Sequence, residues 1–548
     1  MNVSTDVPAA RPWLFGPVRD LAFGCGAAYV VLFAVLALAG DAVRAAVPMG
    51  LTFLLITFVS LPHYGATLLR VYEKGEDRRR YRFFAVWTTI ALAGLFVWGL
   101  RNAGAASWLA TVYLTWSPWH YAGQNFGIGM MFLRRSAVDV SPLARRLYWW
   151  SFALSFGLTL LALHGEMPDA TYAPGNFNET ALSFHPLGIP RGAQGVALAV
   201  VATAYVSVTA GAFWLLARRT SLRNLTAPAM LVLSQALWFT APALARHAGV
   251  LSGVEPLGLG HAEYVFIWIA LAHAAQYLWI TSYYAARSGG TRRHAGFFVK
   301  CLVAGAAIWT IPGLLFAPNA LGRLPYDAGL ALLIASCVNL HHFVLDGAIW
   351  KLRDGRIARI LLGGASAEGA PPERRGRRIA PWIAAAGAVC LGVTLYAGFE
   401  TEFGFSRAIA RGDVRAATSS AERLARIGRD GADMHIRIAD GAAKAGDPAT
   451  ARRHFEDSIR LHPSAWAYIG LGRGFAAEAD WSPAASAFAH ALELEPAHAV
   501  ALLYAGVVDS ETGRDAAGRA KILRARDVAQ DPEVQREIAK VMSLYDVR

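Results

Sequence analysis

GFFVKCLVAGAAIWTIPGLLF, residues 296–316, carries one charge, Lys300, in 21 positions. At about 1.5 Å of rise per residue, a helix of that length spans the ~30 Å hydrocarbon core of a bilayer. RSGGTRRH (287–294), with three arginines, stands directly before it. An apolar run bordered by a basic loop is the pattern of a membrane helix whose loop stays on the cytoplasmic side. The pattern recurs along the first 398 residues.

Working outward from this run, we read eleven spans: about 21–40, 46–71, 83–100, 105–133, 147–164, 191–217, 225–245, 261–285, 296–316, 326–350 and 379–398. RVYEKGEDRRRYR follows the second span, RRSAVDVSPLARR the fourth, ARRTSLR the sixth, and KLRDGRIARI with PERRGRR the tenth. The opposite loops are poor in positive charge, and the one at 165–190 holds Glu166, Asp169 and Glu179. The expectation is a multi-pass inner-membrane protein with a cytoplasmic N-terminus. An odd number of spans then puts residues 399–548 on the extracytoplasmic, periplasmic side. The first 20 residues lack the basic–apolar–small order of a cleaved signal, so the first span is expected to remain as an anchor. Pro62 and Pro118 are places where the second and fourth spans could break.

Composition agrees with this reading. Of 548 residues, 55% are hydrophobic and 17% charged, and the mean hydropathy is +0.35. A soluble protein carries about a quarter charged residues. A single soluble domain, a disordered chain and a secreted disulfide scaffold are excluded. The net charge of +13 divides into +15 over residues 1–398, with 32 basic and 17 acidic side chains, and −2 over residues 399–548, with 20 and 22. The excess lies in short loops and not on one face or arm, so no nucleic-acid partner is expected. Cys25, Cys301, Cys337 and Cys390 all fall in apolar segments and form no CxxC pair.

The fold expected is therefore all-α: a polytopic helix bundle over residues 1–398 and a soluble helical-hairpin domain over 399–548. In the tail, ARRHFEDSIRLHPSAWAYIGLG (451–472) is echoed by ASAFAHALELEPAHAVALLYAG (485–506), with Pro463 and Pro496 33 residues apart. The pattern resembles tetratricopeptide repeats, each a helix pair of about 34 residues that buries its apolar face against a neighbour. The resemblance implies a packing or docking module with a protein partner, not a place of chemistry.

Chemistry points to the histidines inside the spans: His63 in VSLPHYGATLL, His120 in WSPWHYAGQNFG, His273 in LAHAAQYLW, and His341 and His342 in NLHHFVLDGAIW. Ionisable residues at membrane depth are costly and mark function or pairing. By helical rise, His63 lies about 25 Å along its span, His120 and His341 about 22 Å, and His273 about 18 Å. Four helices thus offer imidazole at one level, and neutral imidazole ligates metals without bringing net charge into the membrane. Non-haem iron is the expected ion, with copper, zinc or haem as alternatives. Gln124, Gln276 and Asp346 lie three or four residues from His120, His273 and His342, and are expected to orient those rings from behind, with Asp346, five residues before Lys351, open equally to neutralising an interfacial base. Tyr64, Trp119, Tyr121, Tyr277 and Phe343 adjoin the histidines and would wall a pocket for an apolar membrane substrate. His261 and Glu263, about 18 Å from His273, are expected at the outer mouth and not in the centre. The tail histidines, among them His435, His454, His462, His490 and His498, are expected to be surface or repeat residues.

With these residues in view, LPHYG around His63 is similar to the Leu-Pro-His-Gly stretch of the bacterial integral-membrane beta-carotene dioxygenase family. That family belongs to the histidine-rich membrane non-haem iron oxygenases. The resemblance implies that His63, His120, His273 and His341 or His342 bind iron and that the reaction consumes O2. It departs where His273 is followed by Gln276 and Tyr277 and not by a second histidine four residues on. The HxxxH and HxxHH boxes of membrane desaturases are missing. The function expected is a metal-dependent oxidoreductase acting on an apolar lipid or polyene. A haem electron-transfer protein, or a transporter with a histidine-lined proton or metal path, is the alternative.

Overall fold

The computed structural model describes residues 12–32, 34–35, 38, 49–73, 75–166, 182–241, 244, 261–288, 294–351, 355–362, 381–529 and 531–547, with the side chains of 261–268, 294 and 381 excepted. The described residues fold as helices and turns, and the one β contact is an isolated bridge between Gly165 and Ile189. The chain divides into two compact units. One comprises Met1–Asn178, Leu182–Pro312 and Leu332–Leu395; the other comprises Glu179–Ala181, Gly313–Ala331 and Tyr396–Arg548.

Helices form in the expected segments from the second onward, but they do not all qualify as spans. Among the described residues, six are long and apolar enough to cross a membrane: Leu51–Tyr72, Pro142–Leu163, Arg191–Ala217, Ala295–Leu315, Tyr326–Ile349 and Trp382–Ala410. Phe83–Gly99 is apolar but shorter, and Leu222–Gln235, continued by a π-helical turn at Ala236–Thr240, is outside the apolar set. Ala103–Arg135 is long enough but falls outside the apolar set, with His120, Gln124 and Asn125 among its polar residues, and the side chains of 261–268, at the start of His261–Arg287, lie outside the described residues. Of the segment expected as the first span, residues 21–32, 34–35 and 38 are described, beginning in a π-helical turn at Asp20–Gly24. The structure thus supports six such spans against the eleven expected, and the odd count behind an outward-facing tail is not established.

In the first unit, burial separates central from peripheral helices. Of the apolar window in Tyr326–Ile349, 78% is buried, against 11% in Arg191–Ala217. The helix carrying His341 and His342 is therefore central, and its apolar residues pack on several sides. Two glycines bring the His63 helix against Ala295–Leu315. A Cβ at Gly65 would lie 1.8 Å from the Cys301 carbonyl oxygen, and one at Gly305 would lie 1.8 Å from that of Leu61. Any side chain at either position forces the backbones apart and moves His63. Pro62 stands in the first turn of Leu61–Tyr72, directly after a π-helical turn at Ile56–Ser60. Wider turns of this kind recur at functional sites. Pro118, by contrast, sits inside the unbroken helix Ala103–Arg135.

The second unit is a succession of short antiparallel helices: Val414–Ala425, Ala432–Lys444, Pro448–Leu461, Ala465–Ala477, Trp481–Leu494, Ala499–Glu511, Asp515–Val528 and Pro532–Leu544. Polar residues start several of them. Asp413 accepts from the Ala416 N–H, Asp447 from Thr450 and Ser464 from Ala467. Each such cap satisfies an orphan donor and stabilises its helix by about 1 kcal/mol. Gly470 lets Phe455 of the preceding helix approach, since a Cβ there would meet its ring at 2.2 Å. His454 departs from the surface reading. It is buried, with Nδ1 2.8 Å from His435 Nδ1 and Nε2 3.2 Å from Thr418 Oγ1.

Candidate metal centre

Four of the five intramembrane histidines expected as ligands converge. The His63 and His342 Nε2 atoms are 3.2 Å apart. The His273 ring lies 5.4 Å from that of His63 and 5.1 Å from that of His120, and His120 is 5.1 Å from His342. Ligating atoms of His63, His273 and His342 lie within 4.8 Å of one another, as do those of His120, His342 and Asp346. The two groups share His342 and form one centre. His341 is not part of it. One residue along the helix turns its ring away, to Thr89 Oγ1 at 2.8 Å and Tyr72 OH at 3.4 Å.

The aromatic neighbours fix the rings by stacking. Tyr121 lies on His273 with centroids 4.2 Å apart, and Phe343 lies on His120 at 4.4 Å. Tyr64 sits 3.9 Å from the His63 ring and donates to Asn339 Oδ1 at 2.8 Å. Tyr64 and Tyr121 thus hold the histidines and do not line the adjoining cavity, whereas Trp119, Tyr277 and Phe343 do. That cavity is about 330 Å³ and is walled mainly by Trp116, Trp119, Ile128, Met131, Ile280 and Trp350, with His120, Gln124, Tyr277 and Asp346 as its polar points.

Hydrogen bonds decide which nitrogens remain available. The Nδ1–H of His63 donates to the Ser60 carbonyl at 2.9 Å, which leaves the lone pair on Nε2. The Thr67 hydroxyl is 2.7 Å from the Tyr277 hydroxyl, 2.9 Å from His342 Nδ1 and 3.1 Å from Asp346 Oδ1. With its one proton given to Tyr277 or to the carboxylate, it accepts from His342 Nδ1–H, and the His342 lone pair also falls on Nε2. This assignment follows from the network, as tautomer assignments do. Two lone pairs then face each other across 3.2 Å, with Asp346 Oδ2 3.4 Å from His342 Nε2 and 3.8 Å from His120 Nε2. His120 Nε2, both nitrogens of His273 and Asp346 Oδ2 are buried without a hydrogen-bond partner. Unpaired buried polar groups each cost about 1–3 kcal/mol, so this many around one point call for a cation. A 3.2 Å separation is one that two nitrogens of a single ion adopt when each bond is about 2.1 Å. The residues therefore fit a metal, with His63, His120, His273, His342 and Asp346 as its candidate ligands.

The outer residues differ from expectation. Gln124 and Gln276 do not touch the histidines. Gln124 Nε2 donates to Gln276 Oε1 at 2.5 Å, and Gln276 Nε2 donates to the Gly24 carbonyl at 2.8 Å and Asn125 Oδ1 at 3.0 Å. They tie helices together, because their three- and four-residue offsets carry the amides past the rings. Asp346, expected behind the histidines, presents Oδ2 among them, while Oδ1 takes the Tyr277 hydroxyl at 2.7 Å and Thr67. The side chains of His261 and Glu263 lie outside the described residues. Sequence reading missed Thr67 and the Ser60 carbonyl as the groups that orient His342 and His63. Thr67 lies one turn after His63, and that spacing was the available signal.

No known protein family matches the chain, and no curated protein does. Among solved structures, similarity is found to YrrB, a TPR protein with an unusual peptide-binding site. The match has 21% identity, a TM-score of 0.23, and covers 29% of this chain and 82% of that one. At that score the likeness carries no argument, and the repeat character of the tail rests on its own successive helix pairs.

Proposed function

We propose that the chain is a membrane-embedded, metal-dependent oxidoreductase, with non-haem iron held by His63, His120, His273, His342 and Asp346 and an apolar substrate taken from the lipid phase. One observation carries the reading: unpartnered nitrogen and carboxylate atoms of His120, His273 and Asp346, from three helices, cluster together, and His120 and Asp346 line an apolar cavity. Bound there, iron(II) would bring O2 beside the substrate and stabilise charge developing on oxygen. The chain's own residues do the rest. Ser60 and Thr67 hold the two rings in the ligating tautomer, Tyr277 fixes the carboxylate, and the tryptophans exclude water from the reacting end.

The four imidazoles are too close together for a porphyrin to lie among them, with centroid separations of 4.5 to 6.2 Å around His342. The largely apolar lining also suits an apolar molecule better than an ion path. The tail is read as a docking module for a protein partner on the extracytoplasmic side. A cysteine placed at Ser464 and labelled by an impermeant thiol reagent from outside tests that side. The function itself is tested by anaerobic iron loading of the purified protein, followed by O2 consumption with membrane lipid extracts. Iron bound without porphyrin and O2 uptake that needs an apolar fraction support the proposal; failure to bind iron refutes it.

A further inference from the structure

Of the four polar points on the cavity wall, His120, Tyr277 and Asp346 belong to the candidate metal centre and Gln124 does not. A buried chain of amides fixes which end of Gln124 is left for the cavity. The Gly24 carbonyl can only accept, so the Gln276 atom 2.8 Å from it is the amide nitrogen Nε2. The same nitrogen donates to Asn125 Oδ1 at 3.0 Å, and Asn125 Nδ2 donates in turn to Gln235 Oε1 at 2.9 Å. Gln276 therefore offers Oε1 to Gln124, and that oxygen is met by Gln124 Nε2–H at 2.5 Å. The amide orientation follows from the network. Gln276, Asn125 and Gln235 are each at most 1% exposed, so water offers none of them an alternative partner.

Gln124 is left with its Oε1 carbonyl uncommitted. Among the described residues no donor reaches it, and the half-buried side chain lines the cavity. It stands four residues from His120 on the same helix face, about 6 Å farther along by helical rise. Sites for small molecules are mostly apolar, with a few placed polar groups that set the ligand's orientation. A lone acceptor at that place favours a donor on the ligand and disfavours an ether oxygen, a carbonyl or a bare hydrocarbon chain. We propose that Gln124 Oε1 is a specificity-determining group that accepts a hydrogen bond from a hydroxyl on an otherwise apolar ligand, so that the molecule taken from the lipid phase is an alcohol. This rests on reading the cavity as the substrate's place, and not on the identity of the metal.

The test uses the full-length protein in lipid nanodiscs and two photoactivatable probes of equal chain length, a diazirine-bearing hexadecanol and its methyl ether. Crosslinks are mapped by peptide mass spectrometry and normalised to those on Arg191–Ala217, whose apolar window is only 11% buried. The alcohol is expected to label residues 116–131 about fivefold more than the ether, the low end of the effect of leaving a buried acceptor unpaired, because Gln124 is half-buried. In Gln124→Leu the two probes should label the cavity equally. A glutamine that only ties helices together would lower both signals and leave their ratio unchanged. If Gln124→Leu fails to fold, Gln124→Met removes the acceptor while keeping the length of the side chain. Equal cavity labelling of the wild type by both probes, or an alcohol preference that survives the substitution, overturns the proposal and leaves the cavity as the substrate's place. Cavity labelling by neither probe overturns both. Bound iron is measured on the same samples, so an alcohol preference without iron would uphold the role of Gln124 and sink the metal reading.

Discussion

Tyr277→Phe removes one oxygen from the centre and no candidate ligand. The hydroxyl donates to Asp346 Oδ1 at 2.7 Å, accepts from Trp350 Nε1 at 3.1 Å and lies 2.7 Å from Thr67 Oγ1. A hydrogen bond to a charged group contributes about 1.5–3 kcal/mol, equivalent to roughly 10–150-fold in an equilibrium constant. Thr67 keeps its own 3.1 Å bond to Oδ1, so the carboxylate loses one of two restraints. The expected loss in iron(II) affinity is therefore about 10–100-fold, the range for a partner behind a ligand. The assay is an anaerobic titration against a competing chelator, with apo-protein melting measured alongside. Trp350 loses its acceptor, so slightly lower melting is expected as well. An affinity within twofold of wild type, with melting lowered, would refute the view that Tyr277 aims Asp346 at the metal.

His120→Ala and Asp346→Asn should each cut bound iron sharply. His490→Ala should not, its side chain being half exposed in the tail, and element analysis of purified samples compares the three. Gln124→Leu and Gln276→Leu should leave iron unchanged and cost about 0.6–2 kcal/mol of stability, read by thermal melting. Lost iron with unchanged melting would return the glutamines to the centre. In the tail, burial beside His435 and Arg453 lowers the His454 pKa to about 4, against the attraction of Asp457. A folded value below the unfolded 6.5 means that the unfolded chain binds the proton first. Stability is therefore full above about pH 6.5 and falls as pH drops toward 4. Between pH 7 and 5 the loss is about 1 kcal/mol after discounting for solvent screening, and His454→Gln should flatten the dependence seen by the tail's melting.

What the sequence disclosed follows from what periodicity encodes. Helix-length apolar runs and a 33-residue echo survive as helices and helix pairs, because burying a stripe is a one-dimensional property. A common depth for His63, His120, His273 and His342 was legible for the same reason, since rise per residue converts position into height. Rotation about each helix was not. It separates His341 from His342, and it sends Gln124 and Gln276 to each other instead of to the rings. Asp346 was placed behind the histidines by spacing alone, whereas its two oxygens serve different neighbours. The helix bearing His120 carries polar groups of the site and so falls below the hydropathy of an ordinary span.

In the proposed centre, residues from four helices hold one metal ion. Element analysis of the purified full-length protein after anaerobic iron(II) loading, with X-ray absorption at the iron edge, is the decisive test. One iron per chain is expected, with no porphyrin absorption and a shell of nitrogen and oxygen ligands at about 2.0–2.2 Å that is lost in His120→Ala. Iron absent after loading, or bound equally well by His120→Ala, would contradict it.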